Sequence, residues 1–195
     1  MDKKGHAYIA GFIRDNIKIL DNKDYGWDCL FGSLTPDFRL SFIKIRHTKD
    51  NTLEIFKDKM VYISNNFNEI NKDFSNKISE AIHYICDFFT YPHNPNRFNG
   101  NFFDHIFYER RQHIEVLKYI KDKEYLKDYE KFKFDDCNLE DVFNKINTYH
   151  LDYLKQRPSI ENDCKYILGI VFCFLIWVLL KICNLSKLEI EEKFF

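Results

Sequence analysis

No two cysteines in this chain have the C-x-x-C spacing. The six, Cys29, Cys86, Cys137, Cys164, Cys173 and Cys183, lie far apart, which argues against a zinc ribbon and a dense disulfide framework and leaves buried thiols as the expectation. An excess of charge is also missing: 29 Lys and Arg stand against 30 Asp and Glu, a formal net charge of -1. With no global field to hold a nucleic-acid backbone, no nucleic-acid partner is expected. In MDKKGHAYIAGFIRDNIKIL, Arg14, Asp15 and Lys18 interrupt what would have to be the apolar core of a signal peptide, and no small-residue cleavage site follows. A secretory leader is not expected, and the chain reads as cytoplasmic or membrane-associated. No uncharged run reaches the about 20 residues of a membrane span. The longest, Tyr166 to Leu180, has fifteen residues between Lys165 and Lys181. It reads first as a central core helix, with a membrane segment that lets Lys181 snorkel as the alternative. Internal repeats are absent and strand signals scarce, SFIKIRH (41–47) being the one candidate.

What is present is apolar and helical. At 195 residues, 45% hydrophobic and 17% aromatic, the chain can bury a full core as one domain, taken as residues 1–185 with a weakly ordered tail at 186–195. Tyr8, Ile9, Phe12, Ile13, Ile17 and Leu20 give a first helix from about His6. Gly32, Ser33, Thr35 and Pro36 mark a turn or loop before Asp37, and HTKDNT another, with His47 beside it. Ile78, Ala81, Ile82, Ile85, Phe88 and Phe89 give a helix over 75–91 that Pro92 stops. Further helices are expected from Phe102, over 139–156 and over 163–183, the last capped by Asn162 or Asp163, with a short helix and a turn in 123–136. The expected fold is all-α, a single-domain multi-helix bundle.

His83 and Asp87 are four apart, so on a helix both project from one face and can close on a single metal ion. His105 and Glu109 repeat the pair on the next long helix, and His93 follows Pro92 between them. Either pair alone is commonplace as a helix-face polar contact. Together they form H-x3-D-x5-H-x11-H-x3-E within 27 positions of largely apolar helix, where an unpaired buried polar group costs about 1–3 kcal/mol and metal coordination would remove that cost.

This spacing resembles that of the zinc-dependent phospholipase C family, which includes the bacterial phosphatidylcholine-hydrolysing enzymes and clostridial alpha-toxin. The resemblance extends upstream to His6, to Asp37 in TPD and to His47, and covers residues 6 to about 183. It implies a central multi-zinc site with one zinc on Asp37, His47, His83 and Asp87 and a second on His93, His105 and Glu109. Asp87 would bridge to a third, also bound by His6. Family members complete that third site with the amino group and carbonyl of an N-terminal tryptophan, whereas here MDKKG precedes His6, so two zincs are expected and the third stays open.

Imidazoles and carboxylates suit zinc, and several zincs suit a phosphodiester. The resemblance implies a monomeric phospholipase C acting on phospholipid at a membrane surface, a metal-activated water attacking phosphorus to release diacylglycerol and a phosphorylated head group. Asp37 is the candidate base that orients that water. Two alternatives are a related single-strand-specific zinc nuclease, which the short His93–His105 interval and Glu109 disfavour, and a non-catalytic protein that keeps zinc for stability. His113, eight residues beyond His105, reads as a partly exposed helix residue and His150 as structural. The aromatic excess, with Phe88, Phe102, Phe103, Phe107 and Tyr108, reads as core, a share of it available to a choline-like head group through cation–π contact.

Overall fold

Most helices of this chain begin where a nearby side chain accepts hydrogen bonds from the first unpaired backbone N–H groups. The computed structural model describes residues 1–21, 23–38, 47–183, 185–186 and 192–193. Among them are eight α-helices and no strand: α1 Lys3–Asp21, α2 Gly26–Phe38, α3 Lys49–Asn66, α4 Lys72–Phe88, α5 Phe102–Lys121, α6 Tyr129–Phe132, α7 Leu139–Lys155 and α8 Ile160–Lys181. The all-α expectation holds. SFIKIRH falls almost wholly outside the described residues, as does most of the tail.

Asp2 Oδ1 accepts from Gly5 N at 2.8 Å, so α1 starts three residues before His6. Asn71 caps α4, and Asn101 and Asn138 form capping boxes with Asp104 and Asp141 at α5 and α7. Ser159 caps α8 by accepting from Asn162 N, so the cap lies three residues upstream of Asn162, which sits inside the helix as a donor. Helix α4 ends at Phe88 rather than Tyr91, because Pro92 restricts the residues before it and a 3₁₀ turn, Tyr91–His93, follows.

Two expected loops are helical. Gly32, Ser33 and Pro36 are turn formers by local chemistry, yet all three are buried in α2, where their small or compact side chains let α2 approach α4 closely. A methyl group at Gly32 would lie 2.1 Å from the Asn76 carbonyl oxygen and 3.0 Å from Ser79 Cβ. The Gly32→Ala variant is therefore expected to lose about 1–3 kcal/mol of stability, as overpacked sites do; urea denaturation measures it. HTKDNT likewise opens α3, which buries Thr52, Phe56, Met60 and Ile63 at helical spacing.

Helix α4 packs against α1, α2, α3 and α8, and α5 against α1 and α8. Helix α8 is buried from Asp163 to Leu179 apart from Lys165. It is long and apolar enough to cross a membrane, but 89% of that window is covered by the rest of the fold, so its apolar surface is spent on core packing, about 1.5–3 kcal/mol for each fully buried large side chain. All six cysteines are buried and unpaired, as expected.

Candidate metal centre

Asp87, buried on the last turn of α4, is the hub. Its Oδ2 lies 3.0 Å from His47 Nδ1 and 3.2 Å from His83 Nε2, and its Oδ1 3.3 Å from both His6 Nε2 and His93 Nδ1. His83 stands one turn below it on the same face, and the backbone before α3 supplies His47. Three groups of side chains, His6, His83 and Asp87, then Asp37, His47 and His83, then His93, His105 and Glu109, each bring ligand atoms within 4.8 Å of one another. All eight residues singled out by sequence thus fall in one continuous cluster. Asp37 reaches it from the C-terminal turn of α2, not from a loop, with Oδ1 3.9 Å from His47 Nδ1 and 3.8 Å from His83 Nε2.

Whether a metal fits can be read from the donor atoms. His83 Nδ1 donates to the Ser33 carbonyl at 2.8 Å, so Nε2 carries a lone pair that faces two carboxylates. His93 Nδ1 donates to the His47 carbonyl at 3.1 Å, and its Nε2 stands 3.0 Å from Glu109 Oε1. Such backbone anchors fix the tautomer and aim the free nitrogen, as around metal-ligating imidazoles. Both ring nitrogens of His6 are buried without a hydrogen-bond partner, and burial lowers its pKa to about 3, leaving a neutral imidazole. Lone pairs set against carboxylates repel unless a cation lies between them, and this donor set suits zinc.

One cation already sits there. The α-ammonium of Met1 lies 2.7 Å from Asp87 Oδ1, 3.0 Å from Glu109 Oε1 and 3.1 Å from His93 Nε2. Burial opposes its charge, but Asp87 and Glu109 prevail and raise its pKa to about 11. Burial also disfavours an ionised Asp87 and Glu109, yet His93, the Met1 ammonium and His83 around Asp87, and the Met1 ammonium with His105 and His93 around Glu109, hold both carboxyls below their ordinary range. Burial pushes Asp37, at the edge of the cluster, upward.

The resemblance points to an N-terminal amino group at this place and leaves it open for a chain without the tryptophan; the Met1 amine lies there, and what the sequence reading missed is its support. Asp2 Oδ2 lies 2.8 Å from His113 Nδ1, which fastens the start of α1 to α5 and gives His113 a partner. Asp2, three residues before Gly5, was a legible cap. His150 is structural as expected, its Nε2 2.9 Å from Asn94 Oδ1. One correction is larger: Phe102, Phe103 and Phe107 are not core but exposed, because they occupy the outer side of α5 while Glu109, Gln112 and Val116 face inward.

The family model for zinc-dependent phospholipase C matches residues 5–160, a stretch that contains all eight cluster residues. No curated protein and no solved structure matches.

Proposed function

The chain belongs to the zinc-dependent phospholipase C family, and on that premise we propose that it is a zinc-dependent phosphodiester hydrolase that cleaves glycerophospholipid to diacylglycerol and a phosphorylated head group. The observation that carries the reading is the convergence of His6, Asp37, His47, His83, His93, His105 and Glu109 around Asp87, with imidazole lone pairs aimed at carboxylates.

Asp37, His47, His83 and Asp87 would hold one zinc and His93, His105 and Glu109 a second. The His6 and Met1 side of Asp87 is the place for a third. Bound zinc supplies charge to neutralise the phosphodiester oxygens and to acidify a water. The Ser33 and His47 carbonyls hold the His83 and His93 rings in register, so little reorganisation accompanies the reaction. Asp37, the carboxyl least committed to short contacts and raised by burial, orients the attacking water and accepts its proton. As the new O–P bond forms, the bond from phosphorus to the glycerol oxygen breaks, and that oxygen takes up a proton.

The test is metal analysis of purified protein, followed by assays of head-group release from dispersed short-chain phospholipid and of single-stranded DNA cleavage, each with and without chelator. Two or three zincs per chain with chelator-sensitive lipid hydrolysis is the expected result. Chelator-sensitive DNA cleavage alone would reassign the chain to nuclease chemistry, and zinc with neither activity would leave a structural role.

A further inference from the structure

Helices α1 and α2 meet at two levels beside the metal centre. At the buried level the His6 ring stacks on the His83 ring, centroids 3.9 Å apart, and Asp37 Oδ1 stands 3.8 Å from His83 Nε2. At the outer level, one turn nearer the start of α1, Lys3 Nζ lies 4.2 Å from the centroid of the Phe38 ring. Lys3 stands three residues before His6, and so on the same side of α1, and two after Met1; both of those residues reach Asp87. Phe38 follows Asp37 in sequence, and both members of the outer pair are exposed, the ring by 67%. Lys3 and Phe38 therefore form the solvent side of a seam whose inner side is the cluster.

The Lys3 ammonium has an aromatic ring for a partner and, among the described residues, no carboxylate. Asp2, the nearest acid in sequence, is engaged at both oxygens, by Gly5 N and by His113 Nδ1, and Asp37, Asp87 and Glu109 are metal-ligand candidates. A choline-like head group needs an aromatic face or an acid that is still free. Phe38 is an exposed ring beside a ligand candidate, yet a cation of the chain's own already covers it, and a cationic head group there would meet Lys3 as a like charge. Tyr84 is buried against His47 and His83, and Phe98 packs between Tyr91 and His105. An ammonium with three N–H donors and no acid beside it suits oxygen instead. We propose that Lys3, held over Phe38, selects the head group, and that the substrates are phospholipids whose head group ends in hydroxyl or acidic oxygens, of the glycerol or inositol type, rather than in a quaternary ammonium. This rests on the phospholipase reading above and names the class of lipid on which it operates. Lys3 is the specificity-determining residue, and Phe38 positions it.

Zinc-loaded protein is assayed on dispersed short-chain phosphatidylglycerol and phosphatidylcholine, and calorimetry measures the binding of glycerol phosphate and of phosphocholine to the same protein. The parent is expected to favour the glycerol head group about tenfold or more, both in kcat/KM and in affinity, as one adjacent charge can supply. Lys3→Glu should reverse the preference, Lys3→Gln should bring the two head groups within about twofold of each other, and Phe38→Leu should narrow the ratio about threefold by releasing the lysine. Lys4→Gln, which alters the adjacent exposed lysine, is expected to keep the parent's ratio. All four variants change exposed side chains, so their circular dichroism and zinc content should match the parent's. A parent that hydrolyses phosphatidylcholine as fast as phosphatidylglycerol, or a Lys3→Gln variant with the parent's ratio, would overturn selection by Lys3. Hydrolysis of neither lipid would overturn the phospholipase reading instead. The calorimetry then decides on Lys3 alone: tighter glycerol phosphate that weakens in Lys3→Gln would support the pair, and equal affinities in the parent would overturn it.

Discussion

Asp87→Asn is expected to release at least one zinc per chain and to lower phospholipid hydrolysis by about 10³-fold or more, equivalent to about 4 kcal/mol of transition-state stabilisation. The reason is its position rather than its type. Asp87 lies within 3.3 Å of nitrogens from Met1, His6, His47, His83 and His93, so both of its oxygens serve ligands from opposite sides. An amide of the same shape keeps one acceptor and loses the charge. Without metal the variant would also take from the buried Met1 ammonium one of its two carboxylate partners, leaving Glu109 at 3.0 Å, at a cost below the about 3–5 kcal/mol of a buried charge left wholly unpaired. His105→Ala is the companion that separates coordination from folding, because His105 is one-third exposed and its removal opens no core cavity. It should fold normally, lose the metal held by His93 and Glu109, and fall in rate by about 10²-fold or more. Metal analysis and initial rates on dispersed substrate decide both; a full metal complement in Asp87→Asn would remove the aspartate from the ligand set.

The parts of this site that could be read from sequence are those whose chemistry is carried by side chains on regular helices. His83 with Asp87, and His105 with Glu109, lie one turn apart on α4 and α5, where helical periodicity alone brings them to one face. Asp37 was recognisable as a ligand type but not as a helical residue, since Gly32, Ser33 and Pro36 have the local preferences of a turn and are kept in α2 by packing against α4. The Ser33 and His47 carbonyls belong to the backbone, which every residue carries, so no residue pattern distinguishes them. The exposed rings of α5 were misassigned for a related reason: aromatic content shows how much apolar surface there is, whereas the helix phase of Phe103 and Phe107 relative to Glu109 shows where it goes.

The second large effect is expected away from the cluster, at a carboxylate that reads in sequence as a candidate helix cap. Asp163 is fully buried in the first turn of α8. Its Oδ2 accepts from Tyr91 N, the Tyr108 hydroxyl and Gln112 Nε2, each at 2.9 Å, and its Oδ1 from the Tyr153 hydroxyl at 2.8 Å. Tyr91 lies two residues before His93, and Tyr108 is next to Glu109, so one buried group joins α7 and α8 to the backbone that aims two ligand candidates. Asp163→Ala strands four donors and is expected to cost about 3–5 kcal/mol. Asp163→Asn can keep an oxygen where three donors converge while its amide donates to a rotated Tyr153 hydroxyl, so its loss should be nearer 1–2 kcal/mol. Burial raises the Asp163 pKa to about 7 against the pull of these donors. The sign of the pH effect follows: between about pH 4 and pH 7 the folded chain holds a proton that the unfolded chain has released. Its stability therefore falls as pH rises through that window, by up to about 4 kcal/mol. Asp163→Asn has no such proton, so the same window should be flatter in the variant than in the parent, and urea midpoints measured on metal-free protein from pH 4 to pH 8 compare the two. Parallel curves would show that Asp163 stays ionised throughout, its four donors outweighing its burial.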